Sequence, residues 1–143
     1  VFNDLVFSLM NPPIAEMPDP VDYMIELGKR YLDYGINNPE ICEILFLISA
    51  PMEIEESNQK FWKDNFKMLD LFDYLIVESK KLGYFQKMET TSTALILFGY
   101  IHGLILFFIK KKIMTSAENQ SETIALIEDD FQVLIKIIKS TKA

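Results

Sequence analysis

An all-α fold, a helical bundle of about six helices, is predicted by three features of the chain. Apolar residues recur at helical spacing almost throughout. Helix start and stop signals punctuate that pattern at Asp19-Pro20, Asn38-Pro39 and Gly83. No stretch alternates apolar and polar residues in the manner of a half-buried strand.

The first segment, Val1 to about Met10, is apolar at Phe2, Leu5, Val6 and Leu9 and stops at Asn11-Pro12-Pro13. Pro12 disfavours helix for the residue before it. With no start signal of its own, this piece reads as the end of a longer helix. A second helix opens at Asp19 as N-cap and Pro20 as first helical residue. Val21, Met24, Ile25, Gly28, Tyr31 and Leu32 give it an apolar stripe, and Gly35 and Asn37-Asn38 are expected to end it. Asn38-Pro39-Glu40 repeats the start device for a third helix carrying Ile41, Ile44, Leu45 and Ile48 as far as Pro51. Met52–Asn58 is acidic and reads as a loop. A long amphipathic helix follows from about Gln59 to Leu82, with Gly83 as its C-cap and Tyr84 placed for the hydrophobic contact beyond it.

The fifth helix, from about Thr91 to Lys112, contains the apolar run Ala94–Ile109. A helix apolar on every side calls for burial on every side. At 16 residues the run falls short of the ~20 that a membrane span needs, so a core helix is expected, with no membrane partner. After a polar linker at Thr115–Thr123, Ile124, Ile127, Phe131, Leu134 and Ile138 repeat in alternating steps of three and four, the seam of a helix packed along another helix.

Composition narrows the function. The 143 residues are 50% hydrophobic and 24% charged, in keeping with a single globular domain. A net charge of −7 with a single arginine, Arg30, argues against these residues gripping a phosphate backbone. One cysteine, Cys42, forms no internal disulfide and fits a reducing, cytoplasmic compartment. Eleven Phe and seven Met suit either an ordinary soft core or an adaptable apolar pocket.

Catalytic and metal chemistry find little support. A Cys–His pair would require Cys42 to meet the only histidine, His102, and no serine sits in a strand–turn–helix elbow. No HxxxH or CxxC spacing suggests zinc, and Glu53, Glu55 and Glu56 read as a solvated loop. No enzyme activity, metal or cofactor is therefore expected. His102 stands in the apolar helix, where it needs a partner. It reads as a buried imidazole bonded to a backbone carbonyl or a nearby polar side chain such as a tyrosine, as the polar handle of an apolar ligand pocket, or, least of all, as a metal ligand. Gly99 and Gly103 share a face turned away from His102. Missing side chains there let a helix approach closely, from the same chain or from a partner subunit.

The segment Tyr31–Phe46, with its helix–Asn-Pro–helix passage, resembles the regulatory domains of TetR-type transcriptional repressors. Phe98-Gly99-Tyr100-Ile101-His102-Gly103 is similar to the Trp-x-x-x-His-Gly signature of one subgroup, with Phe98 at the tryptophan position. The helix order resembles that family over nearly the whole chain. The resemblance implies that residues 1–11 end a linker helix from an N-terminal DNA-binding domain missing here, and that 12–143 form an effector-binding and dimerisation domain. It implies a homodimer formed by the last two helices, with Gly99, Gly103, Phe107, Ile127, Phe131, Leu134 and Ile138 at the contact. It also implies a small, mostly apolar effector held by Trp62, Phe66, Leu69, Phe98, Ile101 and His102. DNA would be reached only through the missing helix-turn-helix head. The alternative is a stand-alone helical carrier or adaptor for small molecules or lipids.

Overall fold

The structure is a computed structural model that describes residues 19–40, 70–110 and 120–143. Those residues are helical apart from short turns, with no strand among them. The expected first helix, the body of the third, the Met52–Asn58 loop and the start of the fourth lie outside the described residues, as do Cys42, Trp62, Phe66 and Leu69.

Helix α1 spans Pro20–Asn37. Asp19 caps it, its Oδ1 accepting from the Val21 N–H at 2.8 Å and the Asp22 N–H at 3.2 Å, while Pro20 fills a position that has no donor to satisfy. Asn38 closes it, its backbone N–H and its side-chain amide both donating to the Tyr34 carbonyl. Helical backbone resumes at Pro39 and Glu40. Gly35 is not a terminator as expected from its residue type: it lies inside α1, buried against another helix.

Helix α2 covers residues 70–81. Its end follows the expected device. Gly83 adopts φ 97°, its N–H donates to the Lys80 carbonyl, and the Tyr84 N–H reaches back to the Ser79 carbonyl at 3.1 Å. That pair of bonds is the Schellman arrangement, which requires the left-handed backbone that glycine adopts most cheaply. The C-terminal residues pin this turn: the Ala143 N–H donates to the Gly83 carbonyl at 2.8 Å, and the Phe85 N–H to Thr141 Oγ1 at 3.3 Å.

Helix α3 spans Thr90–Lys110. Glu89 begins it, its carboxylate accepting from the Ser92 and Thr91 N–H groups. Those bonds, the one from Ser92 foremost, hold the carboxyl below its ordinary pKa. The helix outlasts the apolar run that marks it in the sequence. Its stretch Thr90–Ile109, at a mean hydropathy of 2.0, is long and apolar enough to cross a membrane by length and composition.

Helix α4 spans Gln120–Ser140. It starts earlier than expected, because Ser121, Glu122 and Thr123 form a polar first turn, and an acid there suits the positive end of the helix dipole. The steps-of-three-and-four seam on α4 is core: Ile127, Phe131, Leu134 and Ile138 are all buried against the chain's own helices.

The centre of the molecule is the contact of α1 with α3. A Cβ on Gly28 would lie 2.9 Å from Ile101 Cδ1, and one on Gly35 would lie 2.7 Å from two atoms of Ile105. Gly28 and Gly35 stand two turns apart on α1, Ile101 and Ile105 one turn apart on α3, so each pair shares a face. The isoleucines fill the space that the missing side chains leave. Phe131 of α4 reaches the same spot, its ring 3.5 Å from the Gly28 Cβ position. Substituting Gly35→Ala therefore sets the helix-propensity gain of alanine, ~1 kcal/mol, against overpacking that typically costs ~1–3 kcal/mol. We expect a net loss of about 1 kcal/mol in urea unfolding; a Gly35→Ala protein as stable as the wild type contradicts the close approach of α1 and α3.

Candidate functional site

Because α1 and α3 touch through glycine, larger side chains beside the contact are drawn together. Tyr31 lies between Gly28 and Gly35 on α1, and His102 follows Ile101 on α3. The Tyr31 hydroxyl sits 2.8 Å from His102 Nε2. The other ring nitrogen, Nδ1, is 3.0 Å from the Phe98 carbonyl oxygen, one turn back on α3.

These two contacts determine the state of the ring. A carbonyl oxygen only accepts, so Nδ1 carries the hydrogen and donates to Phe98. In the neutral imidazole Nε2 is then the acceptor, and the Tyr31 hydroxyl donates to it. Burial pushes the His102 pKa below its ordinary value, and the bond to Phe98 opposes this only in part. The ring is thus a neutral hydrogen-bonding group at pH 7.

Aromatic rings enclose the pair. Phe98 meets the His102 ring edge-to-face at a centroid distance of 4.2 Å, and Tyr31 meets it at 5.1 Å. Phe98 also packs at 6.0 Å from Tyr31 and at 5.8 Å from Phe72 of α2. Three helices thus converge on one polar pair in an apolar wall, the composition of sites that take mostly apolar ligands and orient them by a few hydrogen bonds. A general base would be better served by a carboxylate on Nδ1, to hold and stabilise an imidazolium; a neutral carbonyl occupies that place.

Of the residues expected to hold an effector, Phe98 and His102 are in contact within this cluster. Ile101 is adjacent but spent on the α1 contact. Trp62, Phe66 and Leu69 lie outside the described residues. His102 meets both a backbone carbonyl and a tyrosine, as the sequence allows, but sequence reasoning missed that the tyrosine is Tyr31. Its visible signal is its place between two glycines on one helix face, which marks where another helix comes close.

Among the described residues, two spaces lie beside these helices. A void of about 10 Å³ among Met24, Phe72, Leu97, Ile101, Phe131 and Leu134 has room for one water at most, and its apolar lining leaves it dry. A larger surface groove of about 230 Å³ runs between the N-terminal half of α3 and the end of α4, lined by Phe85, Met88, Ile96, Tyr100 and Ile137 among others. Among the described residues no group of His, Cys, Asp and Glu could hold a metal ion.

The residues expected at a dimer contact divide into two sets. Gly99, Gly103 and Phe107 lie on the face of α3 opposite Ile101, and a Cβ on either glycine would meet nothing within 4 Å. Close packing of these glycines inside the chain, one of the two readings above, does not occur in the described residues. Ile127, Phe131, Leu134 and Ile138 belong to the core and are not surface residues. The large apolar residues that α4 does expose are Leu126, Val133 and Ile137. No family model matches the chain, and no curated protein or solved structure matches it significantly.

The protonation state is open to direct measurement. The unfolded imidazole takes its proton near pH 6.5, whereas the folded ring takes it only at lower pH. Below 6.5 the unfolded state binds more protons, so the stability that His102 contributes is fully present above that pH and declines as the pH falls toward the folded pKa. Nitrogen-15 NMR of the imidazole is expected to show a neutral Nδ1–H tautomer titrating below 6.5. An Nε2–H tautomer, or a pKa at or above 6.5, contradicts the arrangement.

Proposed function

We propose that this chain is the effector-binding and dimerisation domain of a TetR-like transcriptional regulator. The observation that carries this reading is the double role of α3. One flank bears His102 and Phe98 beside Tyr31, a polar pair within an apolar and aromatic surround. The face turned away from Ile101 and α1, with Leu95, Ile96, Gly99 and Phe107, is apolar and exposed. A single rigid helix then links a ligand site to a subunit contact, which is what a regulator that senses a molecule and repositions paired heads requires.

The chemistry expected of the effector follows from the site. Most of its surface is apolar or aromatic, matching Phe98 and Phe72. One oxygen or nitrogen meets Tyr31 and His102. A hydrogen-bond donor on the effector can replace the Tyr31 hydroxyl at Nε2, and an acceptor can take the hydroxyl's proton. Either exchange loosens the bond that ties α1 to α3. The effector then favours one arrangement of α1 relative to α3, and with it one spacing of the two DNA-binding heads. Equal affinity for both arrangements would shift nothing, so a differential of a few kcal/mol is required. No reaction is assigned to the site, in keeping with a neutral His102 bonded to a carbonyl.

Titration of the purified protein with palmitate, cholate and 2-naphthol tests this reading, with Trp62, the only tryptophan, as fluorescence reporter. At least one probe is expected to bind, with a tenfold or greater loss of affinity in His102→Leu and a smaller loss in Tyr31→Phe. Binding that neither substitution alters refutes the site. Binding by a natural gene product that has no DNA-binding head identifies a carrier and refutes the regulator.

A further inference from the structure

We infer that the exposed face of α3 pairs antiparallel with α3 of a second copy about an axis at the level of Ile101, and that Phe107 of each copy enters the α3–α4 groove of the other. This rests on the dimer in the proposed function and on none of its claims about effector or DNA.

The face has a symmetry of its own. Gly99 and Gly103 stand equally far before and after Ile101. Leu95 and Ile96 stand as far before it as Phe107 and Leu106 stand after it. All six lie on the side of the helix away from the core. A two-fold axis in the contact plane, perpendicular to the helices at that level, sets Gly99 beside the partner's Gly103. It sets Leu95 and Ile96 against the partner's Leu106 and Phe107. Crossing helices diverge away from their point of closest approach, so small residues belong at the centre and bulky ones at the ends. The order bulky, small, small, bulky along α3 fits that geometry in one orientation and register.

The groove supplies the receptor. Thr93, Ile96 and Tyr100 line it from α3, and Phe107 continues the same stripe two turns beyond Tyr100. Under the antiparallel axis the partner's Phe107 arrives on that same flank beside Ile96, over the groove. A cavity of ~150 Å³ is enough to take benzene, so about 230 Å³ accommodates a phenyl ring. Met88 at the rim can adjust to it.

Area and charge favour a second copy as the occupant. Leu95, Ile96, Leu106, Phe107, Leu126, Val133 and Ile137 are each 38–65% exposed. At that exposure these seven side chains together offer on the order of several hundred Å² per copy, comparable with the ~800 Å² per partner of a stable interface. Two copies of a chain of net charge −7 repel each other unless the touching surfaces are neutral. Between Thr90 and Ile109 α3 has no charged residue. Lipid is a poorer occupant, because α1 and α4, which hold the other side of α3, expose Asp22, Lys29, Asp33, Glu128 and Asp129 and would have to enter the bilayer with it.

The test separates dimer from fold. In Gly99→Leu/Gly103→Leu the new side chains point into open space, so the monomer is expected to keep its helical circular dichroism while sedimentation shows the dimer lost. Ile96→Cys chains mixed with Phe107→Cys chains, both carrying Cys42→Ser, are expected on oxidation to give mainly the mixed disulfide, which joins one chain of each kind. A wild-type monomer at micromolar concentration, a dimer that survives the double leucine variant, or predominance of like–like disulfides overturns the proposal. Wild-type monomer that instead co-sediments with phosphatidylcholine vesicles overturns it in favour of a lipid-facing α3. Any of these outcomes leaves probe binding at Tyr31 and His102 to be judged on its own titration.

Discussion

The close approach of α1 to α3 through Gly28 and Gly35 is the constraint on which the rest of the structure depends. Ile101 and Ile105 occupy the space where two side chains would otherwise stand. That contact sets the depth at which Tyr31 meets His102, and so fixes the hydrogen bond between residues 71 apart in the chain. It also orients α3 about its own axis. With Ile101 and Ile105 turned to α1, Gly99, Gly103 and Phe107 are turned to the surface. The polar pair on one flank and the apolar face on the other follow from one packing decision.

The energetics agree with the geometry. A histidine placed in an apolar helix is costly unless its nitrogens find partners. Here the helix supplies one partner through the Phe98 carbonyl and α1 supplies the other through Tyr31. Phe98 packs edge-to-face on the His102 ring, and burial of that ring favours its neutral form. Under the proposed function, a ligand competing for those bonds would act on the same contact that positions α1.

Much of the backbone is legible in the sequence. Asp19-Pro20 and Asn38 bound α1, and Gly83 with Tyr84 ends α2, where the residue types place them, because caps and turns are local chemistry. Faces are less legible, for physical reasons. An all-apolar helix such as α3 has almost no contrast between sides, so composition alone does not say which side faces outward. On α4 the clean seam of Ile127, Phe131, Leu134 and Ile138 reads equally well as core or as interface, and it is core. The large apolar residues α4 exposes, Leu126, Val133 and Ile137, do share a helical spacing of seven and four, but among Glu128, Asp129, Gln132 and Lys136 this stripe is obscured by the stronger seam. Gly35 reads as a helix end because glycine commonly is one; only the position of Ile105 reveals it as a contact. Tyr31 and His102 are too far apart in sequence for any spacing to pair them.

The central claim is that Tyr31 and His102 form one energetic unit across the α1–α3 contact. A double-mutant cycle of Tyr31→Phe and His102→Leu, read by urea unfolding at a pH of about 7.5, measures that coupling directly. The account predicts an interaction of about 1–2 kcal/mol, the scale of a net buried hydrogen bond with its neighbours. Effects that add to within ~0.3 kcal/mol would mean the two residues act independently, and would contradict it.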